Sequence, residues 1–234
     1  MISVVIPTLD AEEGLAATLT ALVPAIVEGL LREVIVVDGG SRDRTLRIAD
    51  AAGVEVVQSA RGRGTQLATG AERARSPWLL FLHADTVLQR GWEDEIAALI
   101  ERVDIGQRPA TAAAFRFALD DTGFKPRLIE AGVTLRCMLF RLPYGDQGLL
   151  IPAALYREIG GHRPLPIMED VDIVRRLGRQ RVVMLRSAAV TSAIRYKRDG
   201  YLARVVRNLS CLTLYFLRAS PALLARLYGS SRPA

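Results

Sequence analysis

The sequence predicts an α/β fold, a mostly parallel Rossmann-like open sheet with helices on both faces. Three observations point there. Short apolar runs alternate with stretches of helical periodicity through the first half of the chain. The runs Val34-Ile35-Val36-Val37 and Trp78-Leu79-Leu80-Phe81-Leu82 contain no polar residue, as expected of parallel strands covered on both sides. Polar clusters fall just after these runs, at the carboxyl ends of strands, where open α/β sheets bind their ligands.

Each element follows in turn. Ser3 to Ile6 is a buried strand closed by Pro7. Leu15, Leu19, Leu22, Val23 and Ile26 recur at helical spacing, with Pro24 as a kink or stop. Val34 to Val37 is the second strand, Asp38-Gly39-Gly40-Ser41 a turn, and Thr45 to Ala52 a helix. Val54 to Val57 is a third strand. The glycine-rich Arg61-Gly62-Arg63-Gly64 leads into a helix from Thr65 to Arg75. Trp78 to Leu82 is the fourth strand, ending in His83-Ala84-Asp85-Thr86, and Gly91 to Val103 is a helix with acids at its dipole-favoured start. This βαβαβαβ order implies right-handed crossovers and a parallel sheet.

The second half is less regular. Thr111 to Leu119, Gly148 to Ile151, Val182 to Leu185 and Ala189 to Ile194 read as strands. Met168-Glu169-Asp170-Val171-Asp172 opens a helix running to Leu177, and Leu202 to Leu217 and Pro221 to Tyr228 are closing helices.

At 234 residues, with 50% apolar and 24% charged residues, one domain spanning 1–234 is expected. Only Ser230 to Ala234 reads as disordered. Residues 1–120 carry a net charge of −5 and residues 121–234 a net charge of +11. No nucleic-acid module signature is present, so the basic half suits phosphate-bearing small ligands or a membrane surface, not nucleic acid. Cys137 and Cys211 lie among apolar neighbours and read as buried thiols. The chain enters its first strand without a basic leader, and no run reaches the ~18 apolar residues of a spanning helix. A cytoplasmic protein is expected, at most attached to the inner face of the cell membrane.

Asp38 and Asp85 are strand-end carboxylates that would share one crevice. Such a pair suits a divalent cation or the polar edge of a nucleotide, while each acid alone is equally a turn former or helix cap. Together with their neighbours they carry a resemblance. Ser3-Val4-Val5-Ile6-Pro7-Thr8 and Val36-Val37-Asp38-Gly39-Gly40-Ser41-Arg42-Asp43-Arg44-Thr45 resemble the opening signature of family 2 glycosyltransferases. Leu82-His83-Ala84-Asp85-Thr86 stands where that family carries its D-x-D motif, and Glu169-Asp170 where it carries an E-D pair. The first D-x-D position is His83, a departure that small bacterial members resembling this chain share.

The resemblance implies a GT-A fold with a nucleotide-binding half (1–105), an acceptor half (106–200) and C-terminal amphipathic helices (201–234). It implies that Pro7, Thr8 and Asp10 line the nucleotide pocket, that Asp38 binds the base beside Gly40, and that Arg61 and Gly64 pass near the donor. His83, Ala84 and Asp85 would meet the diphosphate, with Asp85 on a manganese or magnesium ion. Asp170 matches the general base, and Glu169, Asp146 and Gln147 fall on the acceptor side, where Asp146 and Gln147 are equally a simple turn. The activity implied is metal-dependent, inverting transfer of a sugar from a nucleotide diphosphate donor. Uridine is the base expected by family habit, and the acceptor is an unidentified hydroxyl compound, lipid-borne if the closing helices rest on a membrane.

Those helices carry Arg204, Arg207, Arg218 and Arg226 among apolar residues. They suit peripheral contact with an anionic membrane, a homodimer face, or packing on their own domain. Rival functions fit the residues less well. A nucleotidyltransferase needs a glycine-rich signature after the first strand, where Pro7-Thr8-Leu9-Asp10-Ala11-Glu12-Glu13 stands instead. A catalytically silent nucleotide-binding scaffold is suggested by His83 and opposed by Asp38, Asp85 and Asp170.

Overall fold

The computed structural model describes residues 1–228, so the tail from Ser230 to Ala234 lies outside the described residues. The first half builds β1 (Ile2–Thr8), α1 (Leu15–Val27), β2 (Leu31–Asp38), α2 (Thr45–Ala51), β3 (Glu55–Gln58), α3 (Arg63–Arg73) and β4 (Trp78–Phe81). Its four strands run parallel in the order β3-β2-β1-β4. The pairing puts Thr8 beside Asp38 at the carboxyl edge.

The remaining elements are β5 (Thr86–Leu88), α4 (Trp92–Asp104), β6 (Ala112–Asp120), α5 (Phe124–Phe140), β7 (Leu149–Pro152), α6 (Ala153–Glu158), α7 (Glu169–Leu177), β8 (Val182–Ser192), α8 (Ile194–Asp199), α9 (Tyr201–Phe216) and α10 (Pro221–Tyr228). They extend one eight-stranded sheet to β3-β2-β1-β4-β7-β6-β8-β5. Only β7 and β5 run against the rest.

The pleat explains the two-sided covering. Ile2, Val4 and Ile6 face α1 and α4 through Leu15, Leu19, Leu22, Trp92 and Ile96. Val5 turns to the opposite face and joins Leu67 of α3 with Val171 and Val174 of α7. Adjacent residues of one strand thus serve two cores.

Several boundaries differ from the sequence expectation. Pro24 does not stop α1, which continues to Val27 with Leu22 and Ala25 buried. One proline in the last turn removes a single hydrogen bond, and burial outweighs it. The two late strands expected over 182–194 are one strand, β8, interrupted by a bulge. There, two steps along β6, from Ala114 to Arg116, match four along β8, from Met184 to Ala188. Glu95 of α4 holds the bulge, accepting from the Arg186 and Ser187 amides at 2.8 and 2.9 Å. The sequence pattern marks none of α5, the short strand β5, α6 or α8. Both cysteines are free and buried, as expected.

Candidate active site

At the carboxyl edge of β1 and β2, two loops are laced together. The Asp38 carboxylate is fully buried and accepts four hydrogen bonds, from the Thr8 hydroxyl (3.0 Å), the Ser41 hydroxyl, and the Gly40 and Ser41 amides (2.8 and 2.9 Å). Burial alone would raise its pKa, but these bonds outweigh burial and hold it below the usual carboxylate range. Across the gap the Arg42 amide donates to Asp10 Oδ1 at 2.8 Å, and the Glu12 amide to Asp43 Oδ2 at 2.9 Å. Asp10 itself takes a positive φ of 49°. From below, buried Gln66 of α3 donates Nε2 to the Thr8 and Val37 carbonyls, both at 2.7 Å, and ties the two strand ends together.

The loop after β4 is placed just as closely. The Thr18 hydroxyl of α1 donates to the Ala84 carbonyl at 2.9 Å. Gly14 lies under the same loop, where a Cβ would come within 2.8 Å of the Ala84 carbonyl oxygen and Asp85 Cα. On the other side of that loop stands Gly145, where a Cβ would meet His83 Nε2 at 2.7 Å and Asp170 Oδ2 at 3.4 Å. The Gly145 amide donates to Asp170 Oδ2 at 2.8 Å, and the Val171 amide to Oδ1 at 2.7 Å. His83, Gly145 and Asp170 therefore touch, although 25 and 62 residues separate them in sequence.

Helix α7 begins at Glu169 after Met168, whose φ of 64° is left-handed. This turn buries Glu169, whose Oε1 lies 3.4 Å from Arg63 Nη1. Burial pushes the Glu169 carboxyl up, with Arg63 opposing. Burial also lowers Arg63, but the surrounding Glu169, Asp170 and Asp85 outweigh it and secure its charge. His83 is pushed down to about 4 by burial and by Arg63, so it is a neutral imidazole near pH 7. Asp146 is pushed up to about 6 by burial, and its Oδ1 is a buried oxygen without a hydrogen-bond partner.

These groups border a cleft of about 1210 Å³, lined by Thr8, Asp10, Arg61, Arg63, Asp85 and Arg195 among others. A small chamber of about 90 Å³ adjoins it at His83, Asp85 and Glu169, and is closed by Asp146, Asp170, Arg204 and Asn208. Among the described residues no three His, Cys, Asp or Glu side chains gather as a metal cage. Asp85 offers one partly exposed carboxylate, 3.7 Å from Arg195, with the unpartnered Asp146 oxygen on the same chamber. That donor set fits a hard cation which takes one or two protein oxygens and completes its shell with phosphate and water.

The family model described as Glycosyl transferase family 2 matches residues 3–150, more than half of the chain. The chain belongs to this family. One relative, the glucosyl-3-phosphoglycerate synthase of Mycolicibacterium paratuberculosis, is 34% identical over 95 residues, 37% of this chain and 29% of that protein. The chain thus spans less than a third of that curated relative. Among solved structures, Staphylococcus aureus TarS 1-349 covers 97% of this chain and 68% of its own at 18% identity, with a TM-score of 0.64. A glucosyl-3-phosphoglycerate synthase from Mycobacterium tuberculosis, solved with Mn2+, uridine diphosphate and glucosyl-3-phosphoglycerate, covers 89% and 78% at 21% identity, with a TM-score of 0.61. At these identities the likeness is one of fold, the GT-A fold.

In this family 2 chain the residues expected at the site divide into two groups. Pro7, Thr8, Asp10, Arg61, His83, Ala84, Asp85 and Glu169 line the large cleft, and Asp146 and Asp170 the chamber. The rest stand behind the wall. Asp38 accepts three bonds from its own loop and one from Thr8 at the end of β1, and Gly40 supplies one of the loop amides. At Gly64 a Cβ would fall 2.1 Å from the Arg163 carbonyl oxygen, so its smallness serves helix packing. Gln147 corrects the expectation of acceptor contact. Its side chain is buried, accepts from Arg136 (3.1 Å) and the Tyr144 amide (3.2 Å), and donates to the Phe115 carbonyl (2.9 Å). It braces the turn that carries Gly145 and Asp146. His162 is packed between Tyr156 and Phe81, its pKa pushed down to about 3 by burial. Missed in the sequence were Arg63, Gln66, Thr18 and Gly145. A polar residue on an otherwise apolar helix face is the signal that marks Thr18 and Gln66.

Proposed function

We propose that the chain is an inverting glycosyltransferase that moves a sugar from uridine diphosphate to a hydroxyl acceptor. One observation carries the reading: the neutral His83, the Asp85 carboxylate and Asp170 border one chamber at the inner end of a cleft walled by the strand-end loops. The uridine diphosphate bound by the M. tuberculosis synthase and by S. aureus TarS supports the choice of base.

In this reading the acceptor oxygen attacks the anomeric carbon from the Asp170 side while the bond to the diphosphate breaks. The configuration inverts, the hydroxyl proton passes to Asp170, and nucleoside diphosphate leaves. Two backbone amides aim the Asp170 carboxylate, one on each oxygen, so it reaches the acceptor without reorganising. Asp85, with the unpartnered Asp146 oxygen on the same chamber, would hold a divalent cation. That ion, when bound, supplies positive charge to the leaving diphosphate. Arg63 and Arg195 add fixed charge beside it, and the neutral His83 offers a nitrogen to a phosphate or ribose hydroxyl. Asp38 acts through the loop, holding Thr8 where the base edge arrives. Residues 1–105 would then serve the donor and residues 106–200 the acceptor.

Calorimetric titration of uridine and guanosine diphosphates, with and without manganese, tests this reading. Manganese-dependent uridine diphosphate binding is expected, lost in Asp85→Ala and kept in Asp170→Asn. Slow hydrolysis of the matching sugar nucleotide should vanish in Asp170→Asn. Binding without turnover for every sugar and acceptor tried would leave a nucleotide-binding scaffold.

A further inference from the structure

Away from the cleft, α5 and α9 pack against each other and present unpartnered apolar faces. On α5, Phe124, Leu128, Leu135, Met138 and Leu139 recur at helical spacing and are exposed, Phe124 by 79% and Met138 by 70%. On α9, Leu202, Val206 and Leu209 form a second such stripe, continued just past the helix by Leu217, with Leu202 exposed by 76% and Leu217 by 72%. The opposite sides are accounted for: Ile129 and Val133 of α5 join Phe117 and Tyr201, while Cys211, Leu212 and Tyr215 of α9 enter the main core. Soluble surfaces rarely expose apolar area this continuous without a use.

Charge selects the occupant. No Asp or Glu occurs from Gly200 to Ala234, a stretch with five arginines. The one acid on α5, Glu130, is buried and accepts from the Leu119 amide at 2.9 Å. Asp121 and Asp199, at the edge of the face, are paired with Lys197 and with Arg198, Arg204 and Arg207. Lys125, Arg127, Arg198, Arg218 and Arg226 are exposed around the stripes. A second copy meeting this face through a two-fold axis would set like charges against each other. An anionic bilayer satisfies both the apolar stripes and the basic rim. Among the described residues no helix is long and apolar enough to cross a membrane.

We infer that α5 and α9 form a platform that docks this protein on an anionic lipid surface, lying in the headgroup region. This goes beyond sugar transfer and does not depend on it. The platform adjoins the chamber through α9, whose Arg204 and Asn208 line it.

Co-sedimentation tests it with vesicles of phosphatidylcholine alone and of phosphatidylcholine with about one third phosphatidylglycerol. Partitioning into the anionic vesicles is expected, weaker on neutral ones and falling as salt rises through about 0.5 M. The pairs Leu128→Glu with Leu135→Glu, and Leu202→Glu with Leu209→Glu, should each lower partitioning by about tenfold or more. An unchanged thermal midpoint shows that these surface variants fold. No partitioning into anionic vesicles, or partitioning untouched by both pairs, overturns the inference. So does a dimer by light scattering that both pairs dissolve, because the face would then belong to a second copy.

Discussion

Asp146 concentrates the cost of building this site. Its carboxyl is buried, one oxygen has no partner, and its pKa is about 6 against an ordinary 3.8. Folded and protonated it is tolerated; folded and ionised it is not. Its folded pKa lies above the unfolded one, so the penalty is absent below about pH 4, grows between about 4 and 6, and is complete above. Asp146→Asn, unfolded by urea in EDTA, should be more stable than the parent by on the order of 2–3 kcal/mol near pH 8, with the gain gone near pH 4. An equal gain at both pH values would mean that the carboxyl is not held in this way. At this scale the motif acids Asp85 and Asp170 were legible in the sequence because their types and order carry the signal. Arg63 was not: its partner Glu169 is 106 residues away, and only folding brings them within 3.4 Å.

Among elements, α3 illustrates how packing positions a loop. A Cβ on Gly70 would fall 2.3 Å from Val5 Cγ1 and 2.9 Å from Val37 Cγ2, so this helix lies directly on β1 and β2. That contact lets Gln66, one turn earlier, reach the Thr8 and Val37 carbonyls. Gly70→Ala should lower stability by about 1–3 kcal/mol, read as a fall in urea midpoint at constant slope. It should also weaken nucleotide binding through the displaced Gln66. No loss of stability would show that the helix can lift away freely. The parallel half was readable because its strands are short, wholly apolar and punctuated by polar turns. Helix α5 was not, since apolar residues occupy both its buried and its exposed side and erase the amphipathic period. The bulge at 185–187 of β8 split one strand into two in the sequence for a similar reason. Arg186 and Ser187 look like a loop until Glu95 is seen to bond their amides.

The molecule as a whole divides its charge: residues 1–120 carry a net charge of −5, and residues 121–234, which include the exposed platform, a net charge of +11. A ligand that bridges the cleft should therefore tie the two halves together. With uridine diphosphate and manganese at about a hundred times the dissociation constant, binding contributes about 2.7 kcal/mol. For a chain of this size the thermal midpoint should rise by roughly 5–11 °C, by calorimetry. No rise at saturating ligand would mean the nucleotide meets the folded and unfolded chains alike. The GT-A architecture was legible in the alternation of the first half. The join between halves was not, because β7 enters antiparallel between β4 and β6 and no local pattern marks that reversal.

Helix α9 has the consequence of a shared wall. Asn208 faces the chamber, and its neighbour Leu209 faces out. A helix with side chains is about 10–12 Å across, so a roll of about 20° carries a side-chain tip some 2 Å. Whatever grips the outer stripe thereby sets the gauge of the room on the inner side. A displacement of that size separates an aligned acceptor from a misaligned one. Contact with a surface and readiness for reaction are then two readings of one rotation.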